Sequence, residues 1–389
     1  MQTVRGYFEL HHNPSINYQL NRLLPGADFA EVEAAGSRIT GLESWRAVML
    51  ELATNAERQS RWLHGSSYYR AAEFYMLPGD PRKAHANAQF LKLFDAATAD
   101  LPLERTVVPY AGGALPALRM HAGSTPRDIL VVHGGFDSYM EELALGYLEF
   151  ASEGIEVILF EGPGQGQALR RYGLHMHHAW EQPVAAVLDH FAIGACTLMG
   201  WSLGGFLAPR AAAFEPRVKR VIVNDVLADF MDCFASTQDG AGMVDAIEQM
   251  LAQQRHGELD ALAESLMVRD EIVDWVVRHG MSVCGATSPS GFFAWLTTIR
   301  TAPIAARVTQ DVLLMAASED HIVPRRQFHQ EIAAFANASS LTARLLTAVD
   351  SAQSHCHVGN LALVGRLVRN WLDFQLDLAE ERQPSACRA

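Results

Sequence analysis

The chain has 389 residues, 49% of them apolar and 19% charged, enough to bury a large core in about two domains. A formal charge of −13 without any basic run argues against nucleic acid and anionic membrane surfaces, and leaves small neutral or cationic substrates open. No apolar stretch is long enough to span a bilayer, residues 1–10 lack an apolar signal core, and Cys196, Cys233, Cys284, Cys356 and Cys387 are scattered without metal-ligand spacing; a cytoplasmic protein with free thiols is expected.

Taken in chain order, residues 14–100 carry helical periodicity, clearest over 45–63 and 85–97, and Pro102 sits where the pattern changes. A helical domain over residues 1–103 is predicted. Two β-rich runs over 105–121 flank a turn-like segment at 111–116, and strands then alternate with helices as far as Asn224, which predicts an α/β core over 104–225. The next strand starts near Asp311, much farther on than an ordinary loop of about 4 to 6 residues reaches, so residues 226–300 read as an inserted lid. Helical patterns cover 242–254, 259–268 and 289–299, with Ser288 a candidate cap before Pro289. Residues 301–389 complete the core, and 381–389 read as a frayed tail. The fold class is α/β: a mostly parallel central sheet with flanking helices, a helical domain before it and a helical lid within it.

Between an apolar strand over 195–199 and a helix over 206–214 stands Gly200-Trp201-Ser202-Leu203-Gly204-Gly205. It has the form of a nucleophile elbow, in which a serine is raised on a sharp strand-to-helix turn and flanking glycines remove side chains that would clash. The turn points the Leu203 amide and the positive end of the following helix at whatever Ser202 attacks. Downstream, an apolar strand from Asp311 ends in Glu319-Asp320 and closes with Pro324, and His355 lies in a loop before an amphipathic run over 361–376. The order Ser202, Asp320, His355 suits a triad in which the histidine takes the serine proton and the acid fixes the imidazole. Glu319 in place of Asp320 and His357 in place of His355 are the alternatives.

The strand over 128–132 runs into His133-Gly134-Gly135-Phe136-Asp137, where the second oxyanion donor is expected as the amide of Gly135 or Phe136, beside that of Leu203. His133 reads as a buried structural residue, and Asp137 as either a turn residue or a group that orients substrate hydroxyls. The glycine-rich run over 161–167 lacks the lysine of a nucleotide loop and reads as a tight turn. His175, His177 and His178 lack further ligands at metal spacing and read as a solvated helix start.

Together these motifs, namely His-Gly-Gly-Phe-Asp-Ser-x-x-Glu-Glu over 133–142, Glu-Gly-Pro-Gly-Gln-Gly over 161–166, the elbow over 200–205 and His-Cys-His-Val-Gly-Asn over 355–360, carry a family resemblance. The chain resembles the α/β-hydrolase branch that contains 2,6-dihydroxypseudooxynicotine hydrolase, the fungal polyketide-shortening hydrolases of pigment biosynthesis and the fermentation-respiration switch protein. Segments 17–24 and 68–75 are similar to that family's helical leader, whereas His357 stands where relatives commonly have glutamine. The resemblance implies serine-dependent hydrolysis, in several members of a carbon–carbon bond beside a ketone, with Ser202, Asp320 and His355 in the triad positions. An esterase, thioesterase or acyl-transfer catalyst using the same groups is the alternative, and a regulatory binding protein on a hydrolase scaffold the third. Trp201, Asp137, Tyr68, Tyr69, Tyr75, Phe292 and Trp295 are the candidate substrate contacts. The expected partner is a small molecule, with no cofactor, metal, nucleic acid or membrane, and a homodimer is expected.

Overall fold

The computed structural model describes residues 5–123, 125–236 and 240–382. Ahead of the sheet come the helices Pro14–Leu23, Phe29–Arg38, Leu42–Arg58, Trp62–Phe74 and Lys83–Ala97. The first is set by its cap: the Asn13 side chain accepts from the amides of Ser15 and Ile16, and Pro14 occupies the first turn. The helical pattern over 45–63 is broken in two. Ser60 takes a left-handed backbone (φ 56°) and the Arg61 amide turns back to the Ala56 carbonyl at 2.9 Å, a helix stop that usually shows itself as glycine. These helices share a core around Trp45, Met49, Tyr68, Phe90 and Leu93, into which Trp275 also packs.

Eight strands form one sheet: β1 (Glu104–Tyr110), β2 (Gly113–Met120), β3 (Asp128–His133), β4 (Ile155–Phe160), β5 (Cys196–Trp201), β6 (Val218–Asn224), β7 (Asp311–Ala317) and β8 (Ser340–Leu346). Their order is β1-β2-β4-β3-β5-β6-β7-β8. The β1–β2 hairpin and the β2–β4 pair are antiparallel, and every pair from β4 to β8 is parallel. Because strand side chains alternate, Val131, Leu198, Val221 and Leu314 enter one core with Trp180 and Phe206, while Leu130, Val132, Met199 and Met315 enter the other with Phe150 and Trp371. Burial on both faces leaves every residue of β4 and β5 covered, and their sequences accordingly almost wholly apolar.

Between β6 and β7 lie the helices Gly240–Ala252, His256–Met267, Glu271–Cys284 and Pro289–Leu296. Ser288 caps the last of these by accepting from the Gly291 amide at 3.2 Å. Helix Glu271–Cys284 is an element the sequence pattern did not reveal. Its valines and Gly280 are weak helix formers, and Gly280 is there for packing: a Cβ would stand 2.3 Å from the Phe292 ring. Asp270 supplies its cap, accepting from the amides of Ile272 and Val273. The chain closes with helix Leu361–Arg382. Among the described residues no helix is long and apolar enough to cross a membrane. Cys196, Cys233, Cys284 and Cys356 are free thiols; Cys387 and residues 383–389, most of the expected tail, lie outside the described residues.

Candidate active site

In an open parallel sheet, ligands bind beyond the carboxyl ends of the strands. There β5 ends at Trp201 and the chain reverses at Ser202, whose φ of 58° is a left-handed backbone that side chains rarely adopt. The turn is held by the Ser202 amide on the Asn224 carbonyl (2.8 Å) and the Gly205 amide on the Ser202 carbonyl (2.7 Å). A Cβ on Gly200 would sit 2.0 Å from the Gly204 carbonyl oxygen, and one on Gly205 would sit 2.0 Å from that of Asp225. At Gly204 the nearest atom is 3.1 Å away, so the second glycine the turn demands is Gly205 rather than Gly204.

Ser202 Oγ stands 2.8 Å from His355 Nε2, and His355 Nδ1 stands 2.6 Å from Asp320 Oδ2. The other Asp320 oxygen accepts from the amides of Ile322 (2.7 Å) and Val323 (2.9 Å) in the loop after β7, which fixes the carboxylate before it meets the imidazole. Burial works against the charged form of each group. The His355 partnership outweighs it and holds Asp320 below the usual carboxylate value, and Asp320 in turn raises His355 well above an ordinary histidine. The alternatives fall outside this chain of contacts. Glu319 is exposed, and His357 is fully buried; burial pulls its pKa down to about 3.

A second acid joins the first. Asp225, directly after β6, is buried, and its carboxylate accepts from the amides of Val226 (3.0 Å) and Cys356 (3.3 Å). Burial, with Asp320 beside it, raises its pKa well above the usual carboxylate value. Asp225, Asp320 and His355 bring ligand atoms within 4.8 Å of one another, the one such His/Cys/Asp/Glu cluster among the described residues, and these atoms are engaged with one another and with backbone amides.

On the other side of Ser202, the Gly134–Phe136 loop after β3 packs against the elbow: a Cβ on Gly135 would stand 2.6 Å from the Trp201 carbonyl oxygen and 2.7 Å from the Leu203 nitrogen. The buried Gln165 side chain donates to the carbonyls of Gly134 (2.8 Å) and Gly135 (2.9 Å), and a ring N–H of His279 donates to that of Phe136 (3.3 Å). With the carbonyls tied back, the amides of Gly135, Phe136 and Leu203 meet no acceptor among the described residues. They are available to a developing negative charge. His133 is buried, donates from Nδ1 to the Gly134 carbonyl at 2.9 Å, and is pulled by burial to about 4.

Residues 129–358 match the alpha/beta hydrolase family. The chain belongs to that family. Among curated relatives, Hydrolase ORFZ of Pyricularia oryzae is 31% identical over 310 residues, spanning 68% of this chain and 72% of its own. The 20-hydroxy-prefusarin hydrolase FUS2 of Gibberella moniliformis is 27% identical over 316 residues, 70% and 74% of the two chains. Among solved structures, 2,6-dihydroxy-pseudo-oxynicotine hydrolase superposes with a TM-score of 0.65 at 20% identity over 92% of this chain and 95% of its own, a likeness of fold. The protein is an enzyme, a hydrolase.

In this alpha/beta hydrolase the remaining sequence candidates part company. Asp137 is ion-paired with Arg22 of the leading helices at 2.9 Å, and Arg70 donates to its carbonyl at 2.5 Å. Both arginines also hold Glu142, at 3.0 and 2.9 Å, and Arg70 holds Glu73 at 2.8 Å. Tyr68 and Tyr69 are corrected: the Tyr68 hydroxyl bonds Glu31 (2.7 Å) and the Asp28 amide (3.0 Å), and that of Tyr69 bonds Glu57 (3.0 Å), so both are spent inside the leading helices. Trp201 is also corrected, because its indole N–H points under the sheet to the Tyr147 hydroxyl at 2.7 Å. Phe292 is lid core, wholly buried against Gly280. Trp295 stands beside Phe136 with ring centroids 6.5 Å apart, its buried N–H without a partner among the described residues. Tyr75 is enclosed between Trp45 and Trp275, and its hydroxyl makes no hydrogen bond among the described residues.

Four residues that sequence reasoning passed over now matter. Asp225 was hidden as a strand end and Gln165 inside a glycine-rich turn. Tyr18 and Arg22, one turn apart on helix Pro14–Leu23 and so on one face, lie in the leader segment 17–24, whose resemblance was visible but whose chemistry was not. Tyr18 has its ring 5.9 Å from that of His355 and 4.9 Å from that of His321.

Proposed function

We propose that the protein is a serine-dependent hydrolase that cleaves a carbon–carbon bond beside a ketone in a polyketide-like or aromatic small molecule. The observation that carries the reading is the unbroken run of contacts from Ser202 through His355 to Asp320, set opposite three unclaimed amides. Ser202 attacks the carbonyl as His355 takes its proton, the oxyanion is met by Leu203 and by Gly135 or Phe136, and His355 returns the proton to the leaving carbon. Asp320 orients the imidazole and stabilises its charged form. The names of the fungal relative and of the solved neighbour, both hydrolases of elaborate small molecules, support a substrate of this kind. The test is a panel of β-diketones, aryl ketones, simple esters and acyl thioesters: selective turnover of ketones is expected, and turnover of esters alone would overturn the carbon–carbon reading.

A pH dependence follows. The base must be neutral to accept the serine proton, and its raised pKa keeps it protonated to higher pH than a free imidazole of about 6.5. Accordingly kcat/KM should rise with pH along an ionisation above that value, and Asp320→Asn, which removes the charge holding the proton, should move the midpoint down. A native midpoint below 6.5 that Asp320→Asn leaves in place would contradict the assignment.

A further inference from the structure

We propose that the Tyr18 hydroxyl is a catalytic hydrogen-bond donor to the leaving group, meeting the ketone oxygen on which negative charge collects as the carbon–carbon bond breaks. This rests on the reading just given. The amides beside Ser202 serve the carbonyl that is attacked. They offer nothing to the second oxygen, on the carbon fragment that departs, and without a donor there the electron pair of the broken bond has no stabilised destination. The departing carbon must lie against His355 Nε2, which gives it a proton, so the missing donor belongs beside His355.

Tyr18 stands there. Its ring lies 5.9 Å from the His355 ring, and it is buried, yet its hydroxyl makes no hydrogen bond among the described residues. The charged groups that act on it come from both flanks of Ser202: Asp320 on the histidine side, Arg22 and Asp137 on the side of the Gly134–Phe136 loop. Burial raises its pKa, which keeps it an O–H donor rather than a phenolate. His321 packs on the same ring at 4.9 Å and steadies it.

The step balances. A bond forms from Ser202 Oγ to the attacked carbon as the serine proton passes to His355; the carbon–carbon bond breaks, and its electron pair moves onto the leaving fragment as an enolate hydrogen-bonded by Tyr18. The proton on His355 then goes to the enolate carbon, and water cleaves the acyl-serine. A 1,3-diketone and water thus give a carboxylic acid and a ketone. An ester leaving group needs no such donor, because its electron pair stays on the oxygen that leaves.

The experiment compares the native protein, Tyr18→Phe and His321→Phe on benzoylacetone and on 4-nitrophenyl acetate, with kcat, KM and Tm for each. Tyr18→Phe should lower kcat on the diketone by about 10²- to 10³-fold, the loss seen on removing one oxyanion donor, and at least about ten-fold less on the ester, with Tm held. Equal losses on both substrates, or none, would overturn the proposal. A selective loss in His321→Phe that Tyr18→Phe does not share would assign the donor to the imidazole and overturn it as well. Native protein that hydrolyses the ester but leaves the diketone intact would instead overturn the carbon–carbon reading itself.

Discussion

Ser202→Ala is expected to lower kcat by about 10⁵- to 10⁶-fold, and His355→Ala by a similar amount, because each removes a group without which the others have nothing to act on. The Ser202–His355 bond of 2.8 Å and the His355–Asp320 bond of 2.6 Å make the three one device, so the double variants should be little worse than the worst single. Asp320→Asn should cost less, about 10⁴-fold, since Asp225 stands within reach of the same imidazole as a second carboxyl group. His357→Ala, which removes a buried ring outside the Ser202–His355–Asp320 contacts, should cost far less than His355→Ala. The check is kcat on the preferred substrate, with circular dichroism to show that the fold persists. Multiplicative losses in the double variants, or the reverse ranking of the two histidines, would contradict the assignment.

The second large effect is expected at Arg70, where the leading helices hold the loop beside Ser202. Its guanidinium is buried, bonds Glu142, Glu73 and the Asp137 carbonyl, and lies over the rings of Phe74 and Tyr139 at 5.2 and 4.8 Å. Arg70→Met keeps the apolar stem and deletes the charge. Glu73 retains Lys83 and Arg170, but Arg22 alone is left to hold both Glu142 and Asp137, and breaking a buried pair in this way costs about 3 kcal/mol. The Gly134–Phe136 loop loses the anchor on Asp137, so kcat should fall as well. Thermal denaturation and steady-state rates on the same preparation test both parts, and an unchanged Tm would show that the cluster contributes nothing to stability.

Legibility in the sequence followed the range of the physics involved. The elbow was readable because its cause is local: Gly200 and Gly205 have no room for a Cβ, and Ser202 between them takes a left-handed backbone. Asp320 and His355 were readable because each ends a patterned segment in the expected order. The residues that escaped work across long separations. Gln165 reaches the carbonyls of Gly134 and Gly135 from another strand's loop, Arg70 reaches Glu142 from the leading helices, and Tyr18 reaches the His355 turn from the start of the chain. Tyr68 and Tyr69 were misread for the same reason in reverse. A hydroxyl on a helix says nothing about which side it faces until Glu31 and Glu57 are seen to claim it. Helix Glu271–Cys284 was obscured by the valines and by the glycine that admits Phe292.

The claim on which the rest depends is that Ser202 is acylated during turnover. Acid quenching of the protein within its first turnover of benzoylacetone, followed by peptide mass spectrometry, tests it directly. The account predicts an acyl group on the peptide containing Ser202, absent from Ser202→Ala; an acyl group on Cys356 instead, or product formation with no covalent adduct in the native protein, would contradict it.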